Sequence, residues 1–147
     1  MTKQKSLITQ PGGGSSSKAG KKRILIVDDD PGIQDIFSII FEKAGFAFEI
    51  KKDGEDLLKN NFTTPDLFLV DKQLSGYSGL DICRHLKNQK ATKDIPIIMI
   101  SAAPNIASLS QECGADSYIE KPFELNYLLK LVNHYVYGNP KLYPNLA

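Results

Sequence analysis

The sequence predicts an α/β fold in which helices cover both faces of a five-stranded parallel sheet. Short, near-continuous aliphatic runs alternate with longer segments whose apolar residues recur at helical spacing. Near-continuous apolar runs are typical of strands that are buried on both faces. Strands that alternate with helices pair in parallel through right-handed crossovers. A chain of 147 residues has room for one such domain.

The first half of the chain shows this alternation most clearly. Arg23–Val27 is a β-branched run that predicts a buried strand. The helix that follows has Asp30 as its cap and Pro31 at its first position, carries an apolar stripe, and ends before Gly45. The next two predicted elements are a strand at Phe46–Ile50 and a short helix that opens at Asp53 and runs through Lys59.

The second half repeats the pattern three times. Leu67–Val70 predicts a third buried strand. Ser78 and Asp81 resemble a capping box and predict a helix that continues through Leu86. The remaining predicted elements are a strand at Ile97–Ile100, a helix at Ile106–Cys113, a strand at Ser117–Ile119 and a helix at Glu124–Tyr137.

The composition divides the chain into three parts. Residues 1–22 contain a Pro-Gly-Gly-Gly-Ser-Ser-Ser segment and predict a flexible basic leader. Residues 23–137 form the predicted domain, and residues 138–147 read as a tail without periodicity. The first 23 residues carry six basic groups and no acid, which leaves 12 basic and 17 acidic groups in the remainder. The domain is therefore acidic, which argues against a general attraction to nucleic acid or membranes.

Several other classes of protein are disfavoured by the sequence. No stretch approaches the roughly 18 apolar residues that a membrane span needs, and the start lacks the pattern of a secretory signal. We therefore expect a cytoplasmic protein. Cys83 and Cys113 lack metal-site spacing and are expected to be buried or half-buried free thiols, and His85 and His134 are expected on helix surfaces.

Polar side chains follow four of the five predicted strands. They are Asp28, Asp29 and Asp30 after the first strand, Asp71 after the third, Ser101 after the fourth and Lys121 just past the fifth. In open parallel sheets, ligands bind beyond the carboxyl ends of the strands. The second strand ends in nothing comparable, which fits a position at the edge of the sheet.

The chemistry of these residues indicates a site for a cation and a phosphoryl group. Each pair of carboxylates at roughly 4–5 Å costs about 3–4 kcal/mol at an effective dielectric of about 20, so positive charge must lie among them. Oxygen ligands without His or Cys favour Mg²⁺, and Lys121 adds a second positive charge. Such a pocket suits phosphoryl transfer. Helix capping is the simpler role for Asp30, and it remains an alternative for Asp28 and for Asp29.

The chain resembles the receiver domain of bacterial two-component response regulators, the family that includes the single-domain chemotaxis regulator. The resemblance covers residues 23 to about 137 in family order. It is carried by the segments 24–30, 45–46, 53–54, 65–71, 79–80, 98–102 and 114–123. It implies a flavodoxin-like doubly wound sheet with strand order 2-1-3-4-5 and five helices.

The resemblance also implies a role for each site residue. Asp71 would accept a phosphoryl group, and Ser101 and Lys121 would contact that group. The implied ligands of Mg²⁺ are Asp28, Asp29, Asp71 and the backbone carbonyl of Gln73. Ala102 would leave room for the inward movement of Ser101, and Tyr118 would swing from exposed to buried. The Lys121–Pro122 peptide is expected to be cis.

The implied partners are proteins. A sensor histidine kinase or a phosphotransfer protein would supply the phosphoryl group from a phosphohistidine. A downstream protein would bind the face formed by the fourth helix, the fifth strand and the fifth helix, which phosphorylation repacks. We expect no contact with a membrane and no direct binding of nucleic acid. We expect that the domain is not an enzyme, although it would assist its own phosphorylation and dephosphorylation.

Three features depart from the usual family pattern. Ser75 stands where the family usually has proline after the acceptor, which predicts a less rigid loop. The stretch between Ser101 and Gly114 is about two residues short, which affects the start of the fourth helix. Gln73 and Ala103 occupy positions that influence the access of hydrolytic water.

Two other functions fit parts of the sequence. A pseudo-receiver would share the fold and bind proteins without phosphorylation, but it is expected to lack one of the acidic or basic site residues. A haloacid-dehalogenase-like phosphatase would use the Asp-x-Asp pattern at Asp28–Asp30, but it would require Thr or Val where this chain has Gly32. The 147 residues show no output domain, and the chain is compatible with a piece of a longer kinase or regulator.

Overall fold

The computed structural model of the protein describes residues 20–138. Most of the predicted leader, residues 1–19, and the predicted tail from residue 139 onward lie outside the described residues. Within residues 20–138, no helix is both long and apolar enough to cross a membrane.

Five strands form one parallel sheet, as the sequence predicts. They are β1 (Arg23–Val27), β2 (Ala47–Lys51), β3 (Leu67–Asp71), β6 (Ile97–Ser101) and β7 (Ser117–Glu120). Their order across the sheet is β2-β1-β3-β6-β7, which is the predicted 2-1-3-4-5 order once a small hairpin is numbered separately. The residues of β1, β3 and β6 are almost all buried, because helices cover both faces of these strands.

Helices pack on the two faces of the sheet. They are α1 (Pro31–Lys43), α2 (Glu55–Leu58), α3 (Gly79–Lys87), α4 (Ile106–Cys113) and α5 (Leu125–Tyr137). One face of the sheet packs on α1 and α5, where Phe37 stacks between Phe41 and Phe123 with ring centroids 5.8 and 6.0 Å away. The opposite face packs on α2, α3 and α4, and its core includes both free cysteines, Cys83 and Cys113.

The caps explain where the helices begin. The Asp30 side chain accepts hydrogen bonds from the backbone N–H groups of Gly32 and Ile33, and Pro31 stands at the first helical position. Ser78 caps α3 by accepting a hydrogen bond from the backbone of Leu80 at 3.2 Å. The predicted capping box is wrong in its second half. Asp81 forms an ion pair with Arg84 one turn later instead of bonding back to the cap.

A short hairpin between β3 and α3 was not predicted. Its strands, β4 (Gln73–Leu74) and β5 (Tyr77–Ser78), pair antiparallel, and Ser75 and Gly76 form the turn between them. Strands of two residues are too short to show a period of two in the sequence. Gly76 has φ of +79°, a conformation that glycine adopts at little cost.

Candidate functional site

A cleft opens at the edge of the sheet where β1, β3 and β6 end. It has a volume of about 420 Å³. It is lined by Asp29, Asp30, Asp71, Gln73, Leu74, Ser75, Ser101, Ala102 and Lys121. The carboxyl ends of parallel strands meet at one edge, so residues far apart in sequence converge here.

Asp28 lies next to the residues that line this cleft, with a carboxylate oxygen within 4.8 Å of those of Asp29 and Asp71, and it is completely buried. Its Oδ1 atom accepts a hydrogen bond from the backbone of Asp30 at 2.9 Å, whereas its Oδ2 atom has no hydrogen-bond partner. The Lys121 Nζ atom is 3.7 Å from that Oδ2. Burial raises the pKa of Asp28 to about 6, against the lowering effect of the Asp30 hydrogen bond, and the negative charge of Asp71 adds to the rise. The site therefore holds a carboxylate that lacks full compensation.

Asp71 and Lys121 form the central ion pair of the cleft. The Lys121 Nζ atom donates to Asp71 Oδ2 at 2.9 Å, and the backbone N–H of Gln73 donates to Asp71 Oδ1 at 3.1 Å. Burial lowers the pKa of Lys121, but the hydrogen bond and the charge of Asp71 outweigh burial, so the net shift is upward. The ammonium group therefore stays charged near neutral pH, next to both buried carboxylates.

Asp29 is held by the hairpin turn. Its Oδ2 atom accepts two hydrogen bonds from Ser75, one from the backbone N–H at 3.0 Å and one from the hydroxyl at 2.9 Å. From the sequence, Ser75 was noted only because it stands where the family usually has proline, and its contact with Asp29 was not predicted. A pairing across 46 positions leaves no local signal in the sequence.

Three carboxylates are arranged as a cation site. One oxygen atom from each of Asp28, Asp29 and Asp71 lies within 4.8 Å of the other two. The donor set is all oxygen, which suits Mg²⁺, and the unpartnered Oδ2 atom of Asp28 lacks a positive partner at hydrogen-bond distance. The residues present therefore fit a divalent cation. The side chains of Asp28 and Asp29 do not cap α1, because Asp30 performs that role.

Ser101 and Ala102 complete the cleft at the end of β6. Ser101 is buried, and its hydroxyl oxygen accepts a hydrogen bond from the backbone N–H of Ala103 at 2.9 Å. Tyr118 lies apart from the cleft. It lines a neighbouring groove on β7 and α5, together with Glu120 and Tyr127, and 37% of its surface is exposed.

Gly79 is a further residue on which the site depends. A Cβ atom at this position would overlap the backbone oxygen of Asp71 and lie 2.8 Å from the Cα atom of Lys72. The start of α3 therefore packs directly against the backbone that carries Asp71. The Lys121–Pro122 peptide bond is cis, as predicted.

The family of the chain follows from comparison with known proteins. The family model of the response regulator receiver domain matches residues 24–133, which is most of the chain. The chain belongs to this family. It is therefore a receiver domain of the two-component systems, and both the predicted resemblance and the predicted fold are confirmed.

Curated relatives are longer than this chain. The DNA-binding dual master transcriptional regulator RpaA of Synechocystis sp. is 37% identical over 111 residues, which are 71% of this chain and 45% of RpaA. The phosphate regulon transcriptional regulatory protein PhoB of Escherichia coli is 36% identical over 99 residues, which are 65% of this chain and 43% of PhoB. The chain thus spans less than half the length of these relatives.

Solved receiver domains share the architecture. The signal receiver domain of a histidine kinase from Syntrophus aciditrophicus is 32% identical, with a TM-score of 0.73 over 80% of this chain and 91% of that one. The receiver domain of the sensor histidine kinase PA1611 from Pseudomonas aeruginosa holds a magnesium ion in its active site cleft. It is 22% identical with a TM-score of 0.73, over 82% of this chain and all of that one, and at this identity the likeness shows the fold alone.

Proposed function

We propose that this receiver domain accepts a phosphoryl group on Asp71 from a phosphohistidine of a sensor histidine kinase or a phosphotransfer protein. The observation that carries the proposal is the convergence of Asp71 with one ammonium group and two further carboxylates in one cleft. A carboxylate oxygen of Asp71 attacks phosphorus, the P–N bond of the phosphohistidine breaks, and the bond electrons return to the imidazole. The imidazole leaves with a proton on its other ring nitrogen, so the products are an aspartyl phosphate and a neutral histidine.

The acidic residues at the cleft would hold Mg²⁺. Its protein ligands would be Asp28, Asp29, Asp71 and the backbone carbonyl of Gln73. When bound, the ion supplies positive charge that offsets the carboxylates and the phosphoryl oxygens. The donor set and the unpartnered oxygen of Asp28 support this assignment.

Two other side chains would act on the phosphoryl group. Lys121 already donates to Asp71 and would pair with a phosphoryl oxygen, while the hydroxyl of Ser101 would turn from the Ala103 backbone to donate to another. Phosphorylation adds about −1.5 to −2 units of charge and three acceptor oxygens, which provides a reason for both side chains to move inward. Ala102 offers little steric resistance to this movement.

The same movement would switch a protein-binding face. Tyr118 is partly exposed on β7, and we propose that it turns inward as Ser101 moves and that α4, β7 and α5 then present a new surface to a downstream protein. Residues 23–137 would be the functional unit. The domain would also assist its own dephosphorylation, with Gln73 and Ala103 bordering the path of the attacking water.

Intact-mass spectrometry tests the acceptor directly. The wild-type chain is incubated with Mg²⁺ and a small phosphodonor, beside Asp71→Asn and the exposed control Asp81→Asn. We expect one phosphoryl adduct on the wild type and on Asp81→Asn, and none on Asp71→Asn. An adduct that persists in Asp71→Asn would mean that the acceptor is a different residue. Absence of any adduct would favour an interaction module that works without phosphorylation.

A further inference from the structure

The hairpin turn beside the cleft is of a type that accepts either serine or proline at its first central position. Leu74 pairs with Tyr77, so Ser75 and Gly76 are the central residues of a two-residue turn. Gly76 has φ of +79°, and Ser75 is not among the residues with positive φ. This combination is typical of a type II turn, in which proline is common at the first central position. The choice of serine is therefore not required by the shape of the turn.

What serine adds is a pair of hydrogen-bond donors. Both the backbone N–H and the hydroxyl of Ser75 donate to Oδ2 of Asp29, at 3.0 and 2.9 Å. A proline has neither donor. Within residues 20–138, the other carboxylate oxygen of Asp29, Oδ1, accepts no hydrogen bond, so it stays free to bind an ion.

We propose that Ser75 is a positioning residue of the metal site, which orients Asp29 through these two hydrogen bonds and so strengthens the binding of Mg²⁺. The inference rests on the proposed function, since it takes Asp29 as a ligand. Partners that hydrogen-bond to a ligating side chain fix its direction, and their loss typically weakens metal binding about 10- to 100-fold.

A graded series of variants tests this role. Ser75→Ala removes the hydroxyl and keeps the backbone donor, Ser75→Pro removes both, and Ser75→Thr keeps both. Ser108→Ala is the matched control, because Ser108 is an exposed hydroxyl on α4 whose bond is to the backbone of Asn105. Each variant is titrated with Mg²⁺ and followed by amide chemical shifts in two-dimensional NMR. The same spectra report whether the fold is intact.

The expected result is an ordered loss of affinity. The dissociation constant for Mg²⁺ rises about tenfold in Ser75→Ala and further in Ser75→Pro, and it stays within about twofold of wild type in Ser75→Thr and Ser108→Ala. Phosphorylation by a small phosphodonor then needs correspondingly more Mg²⁺ to reach half its maximal rate.

Other outcomes would overturn the proposal. An unchanged dissociation constant in Ser75→Ala and Ser75→Pro would show that Ser75 is a turn residue only. Tighter binding in these variants would show that Ser75 competes with the ion for Asp29. In both cases the wild type still binds Mg²⁺, so the proposed function stands. Absence of Mg²⁺ binding by the wild type would instead overturn the metal site itself.

Discussion

Replacing the buried carboxylate of Asp28 by the neutral amide of Asn is expected to stabilise the protein in the absence of Mg²⁺. Asp28 is completely buried, its Oδ2 atom has no hydrogen-bond partner, and the nearest cation, Lys121, is 3.7 Å away and shared with Asp71. Asn keeps an oxygen that accepts the hydrogen bond from the Asp30 backbone. It removes the charge that the fold does not fully compensate.

The pKa of Asp28 sets the size of the effect. Burial raises it from 3.8 to about 6. Each pKa unit corresponds to about 1.36 kcal/mol, so the ionised carboxylate costs the folded state about 3 kcal/mol at a pH well above 6. Between pH 3.8 and about 6 the folded protein binds more protons at this group than the unfolded chain does, so this contribution to stability falls as the pH rises. Asp28→Asn is therefore expected to gain about 3 kcal/mol at about pH 8 and little at about pH 4.

Urea unfolding followed by circular dichroism measures this gain. Wild type, Asp28→Asn and Asp35→Asn are compared at about pH 8 and about pH 4 without divalent cations. Asp35 is an exposed residue of α1, and its change is expected to alter the free energy of unfolding by less than about 0.5 kcal/mol. Added Mg²⁺ should stabilise the wild type and not Asp28→Asn, since a ligand that binds only the folded state raises its stability.

Two results would refute this reasoning. If Asp28→Asn were no more stable than the wild type at about pH 8, the carboxylate would already be compensated in the fold. If the gain were the same at both pH values, it would come from packing and not from charge, because a charge effect must disappear once Asp28 is protonated.

Three further changes probe the ion pair, the backbone and the core. Lys121→Met leaves the Asp71 carboxylate without its cation and is expected to lower the free energy of unfolding by about 3 kcal/mol at neutral pH, as measured by urea unfolding. Gly79→Ala forces its Cβ atom into the backbone of Asp71, so it should lower the free energy of unfolding by about 2–4 kcal/mol and slow phosphorylation. The control is Gly45→Ala, where φ is +85° and the space is open. It should lower the free energy of unfolding by about 1 kcal/mol and leave phosphorylation unchanged. Phe37→Ala removes a fully buried ring and should lower the free energy of unfolding by about 3–5 kcal/mol in calorimetry or urea unfolding. A loss below about 1 kcal/mol would mean that the aromatic stack contributes little to stability.

The strands and the place of the site could be predicted because they follow from local patterns. Buried parallel strands are near-continuous apolar runs, and the first polar residue after such a run marks the edge where ligands bind. This reasoning placed Asp28, Asp71, Ser101 and Lys121 at one edge of the sheet. The switch role of Tyr118 was predicted only from the family resemblance. The roles of all these residues remain predictions.

The neighbours Asp28 and Asp29 show where local patterns stop. The two are equivalent in the sequence, yet Asp28 is completely buried with an unpartnered oxygen, whereas Asp29 is half-buried and bound to Ser75. Both residues lie in the loop between β1 and α1, so neither the alternation of a strand nor the period of a helix predicts which way each carboxylate points. The partner of Asp29 is 46 positions away in the sequence, and the cation nearest to Asp28, Lys121, lies still farther along the chain.

Residue types at short spacing suffice to predict the order of strands and helices, the acidic edge of the sheet and the family to which the chain belongs. The balance of charge within that edge, in contrast, becomes visible only in the folded chain. Burial, the 2.9 Å contact between Lys121 and Asp71 and the bonds from Ser75 to Asp29 arise when separate segments pack together, and hydrogen bonds and charge pairing depend on distances that only packing sets.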